Sequence, residues 1–402
     1  MFKTIFITLG VVALGFFVLV VTNAVEVSLP ISQEKDTSGA KQDQSEPNEV
    51  LPVMVDSTVK NNTTVKVPIL PNPNPALQVS PKTQTRNLAF ALLSASNPES
   101  AKQAQTLLEN KNIDGVALQI GWASLETGDE VFNWATLDAI LKIAKEKNKG
   151  VTLHIFSGAP TGRPFSPWLK SAGVKTYTVN DFKGRSREEA LPWDVTLLSQ
   201  YSQFLKSLSV HLKGTDYLDT VARISVAVPV AEMDLIACRS NMLANAYPYD
   251  RATYLASWKA MIDAHATAFP ELKKFVSMPV GLICFPERDT TFFTDLMNYA
   301  TQKYGKTFVP FAADLTSTGS DRSKAYTDTI KNLGVGYQPI WSSTSDPSNR
   351  MKGTFPDNFL QAVCTATKSG ADYVEVYSVD VLNTDATIQK GIQAVHDNTL
   401  CP

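Results

Sequence analysis

The chain has 402 residues, is 44% hydrophobic and 19% charged, and sets 37 basic against 39 acidic side chains for a net charge of −2. That is enough apolar material for one large core, because eight-stranded α/β barrels of about 250 residues or more count as one domain. It is too little positive charge for a polyanion-binding surface, so nucleic acid is not expected as a partner.

Residues 1–26 open with a single lysine, Lys3, and an apolar run from Ile5 to Val21. A spanning helix needs about 17 to 25 apolar residues and a signal peptide about 7 to 15, followed by small residues at the cleavage site. The run fits a transmembrane anchor, and "TNA" at 22–24 also allows cleavage of a signal peptide. Either way the remainder is expected outside the cytoplasm, held at the cell membrane or secreted. Residues 27–85 are rich in Ser, Thr, Pro, Asn and Gln, without helical or strand periodicity. Such a composition buries too little surface to offset its ordering entropy, so it predicts a flexible linker.

From Leu88 the sequence alternates β-rich apolar runs with segments of helical period. Strands are predicted at 88–94, 115–122, 150–158, 222–232, 274–283, 307–315, 334–341 and 372–380. Eight such units over residues 86–402 predict a parallel (β/α)8 TIM barrel. A doubly wound open sheet is the alternative, disfavoured because no Gly-rich phosphate loop follows the first strand. No CxxC occurs and no His lies close to a Cys, which argues against a zinc site, and with no other metal or phosphate motif no cofactor is expected.

Barrel enzymes carry their chemistry at the C-terminal ends of the strands. That rule selects Trp122, His154, Glu232 with Asp234 beside it, Asp314, Trp341, and on the last strand Glu375, Tyr377 and Asp380. If Val374 and Val376 face the helices, alternation points Tyr373, Glu375 and Tyr377 into the barrel. A carboxylate there is costly unless it is paired.

Residues 115–169 also carry a pattern. Trp122, Glu126, Gly128, Trp134, Leu137 and Asp138 follow in order, and then Pro167, Trp168 and Leu169. This resembles the clan A glycoside hydrolases, especially the barrel of the family 42 β-galactosidases. The resemblance implies a general acid/base Glu at the end of strand four, where Glu232 falls, preceded here by Ala231 rather than Asn. It also implies a nucleophilic Glu at the end of strand seven, but "GVGYQPIWSSTS" contains no carboxylate. Glu375 on strand eight is the candidate for the second catalytic carboxylate, with Asp314 or Asp380 as the base of an inverting pair. The two mechanisms call for carboxyl separations of about 5 to 5.5 Å and about 6.5 to 9.5 Å.

Trp122, His154, Asp314, Trp341 and Tyr377 are candidate carbohydrate-binding residues, the indoles as stacking surfaces for sugar rings; core packing is the plainer role for any tryptophan. Trp168 reads as lid or packing, Glu126 as a loop brace. Asp234, Asp314 and Asp380 read first as loop-capping or surface residues and only second as catalysts. Layout on the barrel pairs Cys238 with Cys284 and Cys364 with Cys401 as disulfides. The chain is thus expected to be an exported, membrane-tethered glycosidase, or alternatively a barrel that binds oligo- or polysaccharide without cleaving it.

Overall fold

The computed structural model describes residues 87–95, 99–156, 166–180, 186–226, 250–278 and 291–402. The expected N-terminal membrane segment and the linker lie outside the described residues, as do Glu232, Asp234, Cys238 and Cys284. Among the described residues, no helix is long and apolar enough to cross a membrane.

Eight parallel strands close into a barrel. They are β1 (Leu88–Ala95), β2 (Gly115–Gly121), β3 (Gly150–Phe156), β4 (Val221–Ser225), β5 (Lys273–Ser277), β6 (Phe308–Leu315), β7 (Val335–Pro339) and β8 (Ala371–Tyr377). Each pairs with its sequence neighbour, and β8 returns to β1. Helices follow in turn: α1 (Glu99–Leu107), α2 (Ala135–Glu146), α3 (Val195–Gly214), α4 (Arg251–Ala268), α5 (Thr291–Tyr304), the short α6 (Asp321–Ala325), α7 (Asp357–Lys368) and α8 (Ala386–Ala394). Two antiparallel hairpins decorate the connections after β2 (Glu126–Gly128 with Val131–Phe132) and β3 (Thr176–Asn180 with Ser186–Ala190).

The periodicities explain the layers. In α2, Leu137, Ile140, Leu141 and Ala144 fall on one buried stripe, and Asp194, Asp250 and Asp385 cap α3, α4 and α8 by accepting from backbone N–H groups. Along β3, Val151, Leu153 and Ile155 join the outer core beneath the helices, while Thr152, His154 and Phe156 alternate with them. A second apolar cluster, with Phe90, Phe275, Val309, Phe311 and Tyr373, fills the lumen. Two glycines make room for its rings. A Cβ at Gly115 would lie 1.9 Å from the Gly150 carbonyl oxygen and 2.9 Å from the Phe90 ring, and one at Gly336 would lie 2.3 Å from the Tyr373 ring.

The strands are shorter than predicted at several ends. β2 stops at Gly121, so Trp122 begins the helical turn Trp122–Leu125, and β8 stops at Tyr377, which puts Asp380 on the turn Ser378–Val381 rather than on a strand. Trp341 lies two residues beyond β7. A disulfide joins Cys364 of α7 to Cys401, as the barrel layout predicts.

Candidate functional site

The lumen is layered from its base upward. Register shifts in the β3/β4 and β7/β8 pairings leave Ala222 and Asp372 as extra residues, so Arg223 and Asp372 both reach the base. Arg223 donates to Asp372 (2.8 Å), Lys273 donates to the same carboxylate (2.9 Å), and the guanidinium lies over the Tyr373 ring. Burial would raise the Asp372 carboxyl, but Arg223 and Lys273 together hold it below its usual range.

Above this plug, His154 of β3 and Glu375 of β8 meet across the lumen, bridging past β1 and β2. His154 Nε2 is 2.8 Å from Glu375 Oε1. Glu375 is completely buried and His154 is 2% exposed. Rings surround the pair: Phe275 meets the imidazole edge-on at 4.7 Å, Phe311 lies at 5.8 Å and Phe156 stacks at 6.2 Å. Val374 and Val376 belong to the outer core, so the alternation read from the last strand holds.

Sequence reasoning missed Gln338. The β7/β8 register ends with Tyr337 opposite Val374, so Gln338 stands one step further, beside Glu375. Its Nε2 donates to the Tyr377 hydroxyl at 3.4 Å, and Gln338 is only 1% exposed. The signal was available: in "GYQPIW" the period of two that buries Tyr337 against α-helices turns Gln338 inward. Among the described residues, Glu375 Oε2, Gln338 Oε1, Tyr373 Oη and Thr152 Oγ1 are buried without a hydrogen-bond partner. Buried polar atoms of this kind are the usual hosts of ordered water or of a ligand's polar groups.

The other candidates separate. Asp314 is committed within its own loop: it accepts from the Ser320 hydroxyl and the Arg322 N–H (3.0 Å), bracing the entry to α6. Asp380 is fully buried and accepts from Ser342 Oγ (3.0 Å), Ser343 N (3.1 Å) and Thr344 N (2.8 Å), which pins the loop after β7; its burial raises its carboxyl despite those donors. Trp341 is partly exposed, with Nε1 donating to the Ser345 carbonyl and Arg350 4.8 Å over its ring.

Trp122 corrects an expectation. It is fully buried outside the barrel against Trp168, Tyr201 and Phe204, and its Nε1 donates to Glu126 Oε2 at 2.6 Å. It offers no face to a sugar because the strand ends one residue before it, turning the indole into the helical layer. Trp168 closes the same cluster and donates to the Glu126 carbonyl (3.3 Å). Glu126 is the loop brace its position suggested, and its burial raises its carboxyl. Among the described residues, no group of three or more His, Cys, Asp or Glu is placed to hold a metal ion.

No family model and no curated protein matches the chain. Solved structures do. The catalytic domain of β-amylase from Paenibacillus polymyxa superposes with a TM-score of 0.53 at 12% identity, covering 79% of this chain and 100% of that one. Xylanase 10B from Thermotoga petrophila RKU-1 matches with a TM-score of 0.44 at 10% identity (73% and 82%). β-Galactosidase from Bacillus circulans sp. alkalophilus matches at 0.46 and 12% identity (73% and 50%). The chain has a closed (β/α)8 barrel, and its likeness to these solved structures is one of fold.

Proposed function

We propose that this protein is an exported glycosidase that acts on glycosidic bonds of a surface or extracellular carbohydrate, with Glu232 as proton donor and Glu375 as the second carboxylate. The observation that carries the reading is Glu375 itself. A fully buried carboxylate in a barrel lumen, with one oxygen on His154 and the other without a partner among the described residues, is costly for a merely structural acceptor. The shared barrel fold supports the reaction class, since such barrels gather their chemistry around the strand ends. Export and tethering rest on the apolar run Ile5–Val21 and the polar linker that follows it. Release of the protein from sedimented membranes by salt alone would count against the anchor.

The second reading is a barrel that binds carbohydrate without hydrolysing it. It is favoured by one specific feature: the inward residue near the end of β7 is the amide Gln338, and no carboxylate lies on that strand. Hydrolysis of nitrophenyl glycosides and oligosaccharides by the full-length chain, beside Glu232→Gln and Glu375→Gln, separates the two. Turnover lost in both variants supports the glycosidase. Turnover that survives Glu232→Gln removes Glu232 from its role, and binding without turnover in the wild type favours the second reading.

A further inference from the structure

We infer that Glu375 is a positioning residue that acts through His154, and that the His154 imidazole carries the proton at this site. The inference rests on the hydrolytic reading above and deepens it. Three observations lead to it. Glu375 has no exposed surface while His154 keeps 2%, so the imidazole is the member of the pair that retains accessible area. His154 Nε2 lies 2.8 Å from Glu375 Oε1, and a carboxylate only accepts, so a Glu375 carboxylate selects the tautomer with the ring proton on Nε2 and the lone pair on Nδ1. Among the described residues, Nδ1 has no protein hydrogen-bond partner, which leaves that lone pair available.

The ring is also held. Phe275 abuts it edge-on, Phe156 stacks on it, and Phe311 flanks it. A histidine fixed in one tautomer by a carboxylate behind it, with its imidazolium stabilised by that carboxylate, is the arrangement by which a buried acid assists a base without meeting the substrate. In the step this implies, Nδ1 takes a proton from water as the water oxygen bonds to the anomeric carbon. The glycosidic C–O bond breaks with its electron pair leaving on the departing oxygen, which takes a proton drawn from solvent. The imidazolium then returns its proton to solvent, so that one water is consumed and two hydroxyl ends are formed.

The test uses the full-length chain in detergent micelles with malto-, xylo- and galacto-oligosaccharides as probes. The chain has four histidines, so the ring signals sort by single substitution. His154→Gln and Glu375→Gln should each lower kcat by about 10²- to 10⁴-fold with KM little changed. Glu375→Asp should recover part of the loss. Long-range nitrogen–proton spectra should show the His154 proton on Nε2. Wild-type turnover in His154→Gln with loss in Glu375→Gln would overturn the inference while the glycosidase reading stands, since the carboxylate would then act directly. Turnover kept in both variants with loss of stability alone would make the pair a structural tie and overturn it as well. If the wild type hydrolyses none of the probes, the glycosidase reading fails. The ring then decides: a proton on Nδ1 overturns the positioning role, and an Nε2–H ring whose signals move on adding the same oligosaccharides upholds it in a binding site.

Discussion

Arg223 and Asp372 meet at the base of the barrel lumen, Nη2 2.8 Å from Oδ2, with the guanidinium 4.5 Å from the centre of the Tyr373 ring. Asp372→Ala would remove the carboxylate to which Arg223, itself 1% exposed, donates. Breaking a buried pair from one side costs about 3 to 5 kcal/mol, and urea unfolding would show it as a lower midpoint. The pH dependence follows from the same pair. Because the folded-state pKa of Asp372 lies below its unfolded value, its contribution is present above about pH 4 and is lost as pH falls through the folded pKa. The stability of Asp372→Asn should therefore fall less steeply in that acidic window than that of the wild type.

Gly336→Ala should be destabilising out of proportion to one methyl group. The added Cβ would sit 2.3 Å from the Tyr373 ring, which is clamped by Arg223 on one side and neighbours Phe90, Phe275 and Phe311. Overpacking of this kind costs about 1 to 3 kcal/mol. Gly336→Ala combined with Tyr373→Leu should regain part of that loss in a denaturant titration. Equal losses in the single and double variants would show that the clash is not the cause.

Asp380→Ala should loosen the loop after β7 while leaving the barrel folded. Two backbone N–H groups, of Ser343 and Thr344, and the Ser342 hydroxyl would lose their acceptor. The loss is about 1 to 3 kcal/mol, and limited proteolysis should cut first within residues 342–356.

Trp341 and Trp122 should respond in opposite ways. Trp341 is partly exposed beyond β7, so Trp341→Ala should weaken oligosaccharide binding with little change in melting temperature. Trp122→Ala should do the reverse, destabilising by about 3 to 5 kcal/mol because a fully buried indole is removed from the helical layer. Isothermal titration and thermal unfolding of both variants would test the contrast.

The barrel was readable because its signal is repetitive. Eight runs of strand period, each followed by a helical segment, determine the sheet and its closure whatever the exact ends are. Alternation on the last strand was enough to aim Glu375 inward, since Val374 and Val376 had to meet the helices. What alternation does not reveal is a residue inserted between two strands. The extra residues at Ala222 and Asp372 reset the register and bring the Arg223 and Asp372 charges together at the base. Trp122 was misplaced for a related reason: a strand ending one residue early turns an expected mouth residue into a core residue. His154 was visible as the histidine on a strand, but its bond to Glu375 joins residues 221 positions apart across the lumen, which no local pattern encodes.

The way the chain enters and leaves the barrel has a mechanical consequence. His396, beyond α8, lies 3.0 Å from the carbonyl oxygens of both Asn87 and Asn112, which directly precede the start of β1 and shortly precede that of β2. Cys401 is bonded to Cys364, so the tail is held on α7 as well. The first strand, β1, is paired in parallel with β2 and β8 on its two sides. A force directed along β1 would load both ladders in shear, so their hydrogen bonds would share it instead of parting one after another.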